Sequence, residues 1–275
     1  MTQAPTDRAS LRRRLRQERG RVWVIGHRGA MGYCPENTLA SFERARALGA
    51  DWIELDVHLT RDGALAVIHD ERVDRTTNGH GWLKDLTLDE LRRLDAGSWY
   101  APAFAGQPVP VLDEVVLWAR AHGVTLDIEI KNVPMYYAGI ESAVVETLDR
   151  CGMSEQALVI SFDHRASRRV KDLDARIVTG VLYAGRPVDG GVGLARAAGA
   201  DALLPHYQYV TPEDVQLAHD AGLIVAPWTT SEPQALEQLI AAGVDAIGTN
   251  HPDVLRGLLD ARAAARDDVR AGVRA

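Results

Sequence analysis

The chain has 275 residues, of which 46% are hydrophobic and 25% charged, an ordinary composition for a globular protein. A net charge of −7 leaves no basic excess to neutralise phosphates, so a nucleic-acid partner is not expected. No apolar run reaches the roughly 18–20 residues that a membrane-spanning helix needs. Cys34 and Cys151 lie far apart and form no disulfide framework, so we predict a cytoplasmic protein.

The first 20 residues are polar and rich in arginine, with Leu11 and Leu15 spaced like one helical turn. No apolar segment follows them, which argues against a secretory signal. We predict a solvated, flexible leader over residues 1–20. An arm that binds polyanions or a membrane surface is the alternative, but two leucines make a poor anchor.

A helix-to-strand joint recurs along the chain. In each copy an apolar helical stretch ends on glycine and an apolar strand-like run begins a few residues later; the copies lie at 47–53, 121–126, 197–203, 220–225 and 241–247. Glycine adopts the left-handed conformation that closes a helix at little cost. Repeated helix-to-strand units with short loops are how parallel sheets are built.

The strand candidates alternate with helical stretches through one domain at residues 21–262, followed by a charged tail at 263–275. They cover residues 22–26, 52–59, 125–130, 157–161, 176–182, 201–204, 223–227 and 244–248. Their number and order predict a closed (β/α)8 barrel, the TIM barrel. A doubly wound open sheet also alternates strands and helices, so the count alone does not exclude it.

Residues from about 70 to 110 interrupt the alternation. Thr87 and Glu90 are spaced as the capping box of a short helix, and the rest is rich in glycine, proline and aromatic residues. The aromatics are Trp82, Trp99, Tyr100 and Phe104. We predict an insertion after the second strand, on the loop face of the barrel, where it serves as a lid or a substrate wall.

Polar side chains collect at the carboxyl ends of the predicted strands, where a barrel enzyme places its active site. They are His27 and Arg28 after the first strand, Glu54 and Asp56 on the second, and Glu129 and Lys131 at the end of the third. Residues two apart on a strand share a face, so each pair on the second and third strands points the same way.

Glu54, Asp56 and Glu129 would repel one another unless a cation joins them or one is protonated. Carboxylate oxygens suit Mg²⁺ or Ca²⁺ rather than zinc, and no Cys/His cluster has zinc spacing. We therefore predict one divalent cation, Ca²⁺ or Mg²⁺. The alternative is that some carboxylates form structural ion pairs with Lys or Arg; Asp127, one step deeper on the third strand, is assigned to such a pair.

His27 and His69 are candidates for proton transfer, because each ends or follows an apolar run beside the carboxylates and histidine titrates near neutrality. His58 shares strand parity with Glu54 and is a weaker candidate for lining the site. Arg28 and Lys131 add fixed positive charge beside the predicted metal, which suits a phosphate ester.

A series of motifs in this order resembles the glycerophosphodiester phosphodiesterase family. The motifs are His27-Arg28-Gly29, Pro35-Glu36-Asn37-Thr38, Glu54-Leu55-Asp56-Val57, Thr60-Arg61-Asp62-Gly63, His69-Asp70, Arg75-Thr76-Thr77 and Glu129-Ile130-Lys131. The resemblance runs from about residue 22 to 260, with Trp228-Thr229 and Gly248-Thr249-Asn250 matching later strands. The combination is far more specific than any single motif.

The resemblance implies a TIM barrel with a small insertion after the second strand, and it implies roles for individual side chains. They are metal binding by Glu54, Asp56 and Glu129, catalysis by His27 and His69, phosphate binding by Arg28 and Lys131, and a substrate wall of Phe162 and Trp228. The implied substrate is a small glycerophosphodiester. The oligomeric state stays open.

The resemblance also implies a reaction that releases sn-glycerol 3-phosphate and an alcohol. One histidine takes the proton of the glycerol 2-hydroxyl, which attacks phosphorus, and the other protonates the departing alcohol. Water then opens the cyclic phosphate with the histidine roles reversed. The sequence does not say which histidine is the acid.

Three alternatives stay open. A lysophospholipase D-like enzyme would use the same site on lysophospholipids, with the insertion's aromatics lining an apolar channel. A phosphodiesterase like the bacterial phosphatidylinositol-specific phospholipases C resembles this chain in its histidines but not in its carboxylates. A non-catalytic glycerophosphodiester-binding protein on the same fold would lack a histidine or a metal carboxylate, and this chain has them all.

Overall fold

Short apolar runs form the strands of one sheet in the computed structural model, which describes residues 9–18 and 20–272. The strands are β1 (Trp23–Gly26), β2 (Trp52–Leu59), β3 (Leu65–Val67), β4 (Thr125–Ile130), β5 (Ala157–Ser161), β6 (Val178–Tyr183), β7 (Ala202–Pro205), β8 (Ile224–Val225) and β9 (Ala246–Thr249). All but β3 overlap a predicted strand. Nearly every strand residue is buried, as expected for parallel strands covered on both faces.

The parallel strands follow one another around a barrel in the order β8-β7-β6-β5-β4-β2-β1-β9. Backbone hydrogen bonds between the two ends of this order complete the circle: the Asp245 N–H donates to the Val225 carbonyl and the Gly248 N–H to the Pro227 carbonyl, both at 2.9 Å. The predicted TIM barrel is therefore confirmed, and the open doubly wound sheet is excluded.

Helices cover the outside of the barrel. They are α2 (Leu39–Ala47), α4 (Leu112–His122), α5 (Ile140–Arg150), α6 (His164–Leu173), α7 (Gly190–Ala198), α8 (Pro212–Asp220), α9 (Pro233–Ala242) and α10 (Pro252–Gly272), with α1 (Leu11–Gln17) before the barrel and α3 (Leu88–Leu91) in the insertion. The glycines of the repeated joint, Gly49, Gly123, Gly199, Gly222 and Gly243, all have positive φ, as predicted. None of the helices in the described part of the chain is long and apolar enough to cross a bilayer.

The structure differs from the predicted flexible leader at residues 11–17, which form α1. Leu11 is fully buried and Leu15 nearly so, packed against the apolar side chains that fill the barrel interior. The Arg14 guanidinium lies 4.8 Å from the ring centre of Trp23, and Arg14 donates to the Thr125 hydroxyl at the start of β4. The helix therefore covers the amino-terminal end of the barrel. Residues 1–8 and 19 lie outside the described residues.

The C-terminal helix also differs from expectation, because α10 continues to Gly272, well into the predicted tail at 263–275.

Between β2 and α4, the chain builds the predicted insertion around a small core of its own. Its buried side chains are Ala66, Ile68, Val73, Leu83, Leu91, Ala96 and Val109. β3 pairs antiparallel with β2, and the predicted capping box of Thr87 and Glu90 is present at α3. Cys34 and Cys151 are buried free thiols.

Candidate active site

The loop after β1 holds two of the predicted site residues at the carboxyl end of the barrel. The backbone N–H of His27 donates to the Thr249 carbonyl at 3.0 Å, and that of Arg28 donates to the Glu54 carboxylate at 2.8 Å. Arg28 has a φ of 51°, a left-handed conformation that is uncommon outside glycine. Such strain persists only where surrounding contacts enforce it, and it is concentrated at functional sites.

The three predicted metal carboxylates converge at this end. Asp56 on β2 lies opposite Glu129 on β4 in the sheet register, and Glu54 lies one inward-facing position below Asp56. All three side chains are buried, and one carboxylate oxygen from each lies within 4.8 Å of the others. Strand parity therefore predicted this cluster correctly.

The environments of these carboxylates differ. Burial, followed by repulsion from Asp56, raises the pKa of Glu54 well above its usual range. Burial and Asp56 also raise the pKa of Glu129, to about 7, against the opposing effect of Lys131. Burial would raise the pKa of Asp56 too, but the positive charges of Arg28 and Lys131 outweigh it and hold that pKa below its ordinary value.

This donor set fits a hard divalent cation. The structure offers three oxygen ligands of the kind that Mg²⁺ and Ca²⁺ take, and Oδ1 of Asp56 is buried without a hydrogen-bond partner among the described residues. A bound cation would offset the repulsion that raises the pKa values of Glu54 and Glu129. The identity of the ion does not follow from the carboxylates alone.

Two cations flank the cluster. Arg28 lies with Nε 3.3 Å from Asp56 and Nη1 2.8 Å from Glu36. The Lys131 ammonium donates to Glu129 at 2.8 Å and lies 3.6 Å from Asp56. The side chains of Arg28 and Lys131 are mostly buried, at 14% and 11% exposure, so solvent screens their charge only weakly.

His27 is held on its far side by the last strand. Its Nδ1 lies 2.7 Å from Oδ1 of Asn250, directly after β9. Burial, followed by the charge of Arg28, lowers the pKa of His27 to about 4. The ring is therefore neutral at pH 7; with Nδ1–H assigned as the donor to Asn250, Nε2 keeps a lone pair.

His69 reaches the carboxylate cluster through Lys131. Its Nδ1 is 2.6 Å from the Asp70 carboxylate, which accepts the ring proton, and its Nε2 is 3.2 Å from the Lys131 ammonium. Lys131 thus connects His69 to Glu129 and Asp56, so the second predicted histidine is adjacent to the same cluster.

Two neighbouring residues differ from the sequence expectations. The ion pair predicted for Asp127 is absent: the carboxyl is 1% exposed, and its Oδ1 has no partner among the described residues. Instead Asp127 lies beside Glu54 in the sheet register, and burial followed by Glu129 raises its pKa well above the usual range. His58 is a buried support, with Nε2 bonded to the His69 carbonyl at 2.9 Å and Nδ1 at 3.0 Å from the Tyr137 hydroxyl.

An apolar wall adjoins the carboxylates. Phe162 and Trp228 meet edge to face with ring centres 5.4 Å apart, and the Trp228 indole N–H donates to the Leu204 carbonyl. Trp228 lines a pocket at this end of the barrel together with His27, Glu54 and Glu129. The wall and the predicted site residues therefore share one pocket.

The four insertion aromatics do not line this pocket. Trp99 packs against Tyr100, and Tyr100 against Phe104, with ring centres 5.6 and 5.7 Å apart. Trp82 lies under the Arg72 guanidinium, 5.2 Å from it. The insertion's aromatics therefore pack within the insertion, whereas Trp228, which lines the pocket, belongs to the barrel.

Sequence reasoning assigned no role to several residues that contact the site. They are Glu36, Asn37, Asp70, Arg75 and Asn250. Asn37 brackets Asp56, donating from Nδ2 to its carboxylate at 2.8 Å and accepting from its backbone N–H at 3.3 Å. All five lie in motifs that carried the resemblance, which was the available signal.

Comparison with known proteins agrees with this geometry. The model of the glycerophosphoryl diester phosphodiesterase family matches residues 27–254. The chain belongs to this family. As a member it is an enzyme of the phosphoric diester hydrolase class, and the recognition made from the sequence motifs is confirmed.

Several relatives share nearly the whole barrel. A glycerophosphodiester phosphodiesterase of Caldanaerobacter subterraneus is 42% identical over 86% of this chain and 97% of its own. One from Bacillus subtilis is 34% identical over 85% of each chain.

Solved structures are similar as well. An Oleispira antarctica phosphodiesterase in complex with the product sn-glycerol-3-phosphate has a TM-score of 0.78 at 28% identity, covering 86% of this chain and 96% of its own. A glycerophosphodiester phosphodiesterase of Agrobacterium tumefaciens has a TM-score of 0.76 at 27% identity, covering 86% and 99%.

Proposed function

We propose that this glycerophosphodiester phosphodiesterase is metal-dependent and releases sn-glycerol 3-phosphate and an alcohol by acid–base catalysis with two histidines. The observation that carries the proposal is the convergence of three buried carboxylates with two cations and two hydrogen-bonded histidines at one end of the barrel. The Oleispira antarctica relative, solved with sn-glycerol-3-phosphate, supports the product.

Glu54, Asp56 and Glu129 would hold one divalent cation, Ca²⁺ or Mg²⁺. When bound, the ion supplies Lewis-acid stabilisation of negative charge on the phosphoryl oxygens. Arg28 and Lys131 would add fixed positive charge to the same group, as cations do in phosphoryl-transfer sites. Their low exposure makes that contribution larger than at a surface.

His27 and His69 are the two groups suited to move protons. Each has its Nδ1 occupied by an acceptor, Asn250 or Asp70, so Nε2 is the nitrogen that would face the substrate. In His69 a substrate would take the place of the Lys131 ammonium, which lies 3.2 Å from Nε2. In the proposed first step one of them takes the proton of the glycerol 2-hydroxyl as that oxygen attacks phosphorus. The other, which starts as the imidazolium, gives its Nε2 proton to the alcohol oxygen as the bond from phosphorus to that oxygen breaks, and a five-membered cyclic phosphate results.

In the second step water attacks the cyclic phosphate and the histidine roles reverse. The histidine that protonated the alcohol now takes a proton from water, and the other returns one to the glycerol 2-oxygen. Both rings end in their starting protonation states, so the cycle balances. Phe162 and Trp228 would hold the carbon skeleton of the substrate against the apolar side of the pocket.

The alternatives from the sequence receive no structural support. A lysophospholipid channel lined by the insertion's aromatics is not favoured. Trp99, Tyr100 and Phe104 pack on one another, Trp82 packs against Arg72, and all four lie outside the pocket that contains His27. A binding protein without catalysis would tolerate the loss of a histidine or a carboxylate, and the described site retains both histidines and all three carboxylates.

The direct test is to incubate the purified protein with glycerophosphocholine or glycerophosphoethanolamine, adding Ca²⁺ or Mg²⁺ and then a chelator. We expect metal-dependent release of sn-glycerol 3-phosphate. His27→Ala and His69→Ala should each lower kcat by roughly 10²–10⁴-fold, the usual contribution of a general acid or base. Absence of metal-dependent product from every such diester would refute the proposal.

A further inference from the structure

Asp70 and Arg75, two charged residues of the insertion, bind to one another and to the barrel beside His69. Nε of Arg75 donates to Oδ2 of Asp70 at 2.6 Å, and Nη2 donates to Oδ1 at 3.0 Å. The same guanidinium also donates to the Glu36 carboxylate, from Nη1 and from Nη2, both at 2.8 Å. Arg75 therefore binds two carboxylates in the bidentate geometry that fixes orientation as well as distance.

Glu36 is the barrel end of this arrangement. It lies in the loop between β1 and α2, is 5% exposed, and accepts from Arg28 at 2.8 Å in addition to Arg75. Burial alone would raise its pKa, but the hydrogen bonds and charges of Arg75 and Arg28 outweigh it, so the pKa of Glu36 is lowered. The two cations hold the buried Glu36 carboxylate in place, because loss of either one would leave its negative charge poorly compensated.

Asp70 connects Arg75 to His69. Its Oδ1 accepts from the His69 ring at 2.6 Å and from Arg75 at 3.0 Å. Burial opposes ionisation, but hydrogen bonds from Arg75 and His69 outweigh it and lower the pKa of Asp70 to about 2. Asp70 is 28% exposed and sits on a loop, so without Arg75 the carboxylate could turn towards solvent and release the ring.

We propose that Glu36, Arg75 and Asp70 are positioning residues that hold the His69 ring in its working orientation and couple it to Arg28. The chain of contacts runs Arg28–Glu36–Arg75–Asp70–His69 without a gap longer than 3.0 Å. These contacts give the insertion a role in orienting His69, since Asp70 and Arg75 belong to the insertion while Arg28 and Glu36 belong to the barrel. The inference rests on the proposed catalytic role of His69.

The orientation of the His69 ring decides where its Nε2 points. In the structure Nε2 faces the Lys131 ammonium, 3.2 Å away. Only a ring whose Nδ1 donates to a fixed acceptor presents the Nε2 lone pair in one direction. Displacing a catalytic group by about 1 Å costs on the order of 10²-fold in rate. We therefore expect loss of Arg75 to lower kcat much more than it changes KM.

The experiment compares Arg75→Gln and Arg75→Lys with Arg72→Gln. Arg72 is a matched control, because it lies in the same insertion at 43% side-chain exposure against 44% for Arg75, and it pairs with Asp74 away from the site. We expect Arg75→Gln to lower kcat roughly 10- to 100-fold, as loss of a supporting hydrogen bond does at other sites. Arg75→Lys should fall in between, because an ammonium cannot bind both carboxylates bidentately, and Arg72→Gln should be unchanged.

A second measurement does not depend on turnover. NMR of the imidazole protons should show a downfield Nδ1–H resonance of His69 that Asp70→Asn removes. Arg75→Gln should weaken or broaden it, and Arg72→Gln should leave it intact. If the chain hydrolysed no glycerophosphodiester, this resonance would still report whether Arg75 holds the ring.

Combining substitutions separates positioning from a general loss of structure. If Arg75 acts through Asp70, the double variant Asp70→Asn/Arg75→Gln should be no slower than Asp70→Asn alone. Multiplicative losses in kcat, or an Arg75→Gln enzyme that keeps both its kcat and its His69 resonance, would overturn the inference.

Discussion

Nδ1 of His27 lies 2.7 Å from Oδ1 of Asn250, so a side-chain hydrogen bond joins the residues that directly follow the first and last strands of the barrel. The contact depends on the parallel pairing of β1 with β9, since 223 residues separate the two side chains along the chain. His27 therefore takes its orientation from β9, whereas His69 takes its orientation from the insertion.

Replacing Asn250 by alanine should lower kcat about 10- to 100-fold, a loss of about 1–3 kcal/mol in transition-state stabilisation. The ring of His27 would lose the acceptor that fixes its orientation, while the proposed metal carboxylates and the proposed phosphate-binding cations stay in place. KM should change little. Steady-state kinetics with glycerophosphocholine checks this.

The control for that variant is Asn78→Ala, an exposed asparagine of the insertion whose Oδ1 accepts from the Asp95 N–H. It should retain wild-type kcat and KM. An Asn250→Ala enzyme with normal kcat would show that His27 does not need the bond to Asn250.

The regular parts of this protein could be predicted from sequence because local pattern determines them. Short apolar runs bounded by glycine predicted the barrel strands, and the two-residue spacing of Glu54 and Asp56 placed both carboxylates on the inner face. The position of Glu129 opposite Asp56 follows from the same parity and from neighbouring strands.

Long-range partners could not be predicted in the same way. Arg75 lies in a segment without periodicity, so its contacts with Glu36 and Asp70 depend on how the insertion folds back onto the barrel. The ion pair predicted for Asp127 is absent, because the charged groups that act on this buried carboxyl are other acids, Glu129 and Asp56. Leu11 and Leu15 gave only one helical turn of pattern and no indication of the barrel end that they cover.

Metal-free protein should lose stability as pH rises from about 6.5 to 8. The pKa of Glu129 is about 7 in the fold, against an ordinary 4.5, so the folded state binds more protons than the unfolded chain between these values. That contribution is fully present below pH 4.5 and is lost as pH rises through 7, at a cost of about 3 kcal/mol. Glu54, whose pKa is also raised, acts in the same direction. His27 acts in the opposite direction, because its pKa is lowered to about 4, but only below its ordinary value of 6.5, so the loss is expected above that pH.

Thermal unfolding of chelator-treated protein across this pH range measures the effect. Added Ca²⁺ or Mg²⁺ should restore Tm most at the upper end, because the cation binds deprotonated carboxylates and releases their protons. Glu129→Gln should show a flatter pH dependence without metal and a weaker response to metal. A metal-free Tm that is constant or rises with pH would contradict the role assigned to these acids.

Leu11→Ala should destabilise the protein without changing the chemistry. Leu11 is fully buried against the barrel interior, and removing a buried leucine side chain costs roughly 2–5 kcal/mol. The site lies at the opposite end of the barrel, so kcat of the folded enzyme should be preserved. Urea unfolding together with kinetics measures both quantities.

Arg13→Ala is the matched control on α1, because Arg13 is exposed on the same helix. Its free energy of unfolding should stay within about 0.5 kcal/mol of the wild-type value, as is usual for surface substitutions. If Leu11→Ala were equally neutral, α1 would not cover the barrel end in solution.

The enzyme should prefer small water-soluble diesters to lysophospholipids. The pocket beside His27 is formed by barrel residues such as Ile160 and Trp228, and the described structure shows Trp99, Tyr100 and Phe104 packed on one another instead of lining it. An acyl chain would therefore lack the aromatic channel that a lysophospholipase D-like activity requires. We expect kcat/KM for glycerophosphocholine to exceed that for lysophosphatidylcholine at least tenfold, about 1.4 kcal/mol.

Trp228→Ala tests the proposed substrate wall in the barrel, and Trp99→Ala tests whether the insertion's aromatics contact substrate. Trp228→Ala should raise KM for glycerophosphocholine, since it removes the ring that faces Phe162 across 5.4 Å. Trp99→Ala should leave KM for both substrates unchanged, because Trp99 contacts Tyr100 and the Ala96 carbonyl within the insertion. If Trp99→Ala selectively impaired turnover of lysophosphatidylcholine, the insertion would be part of a lipid site.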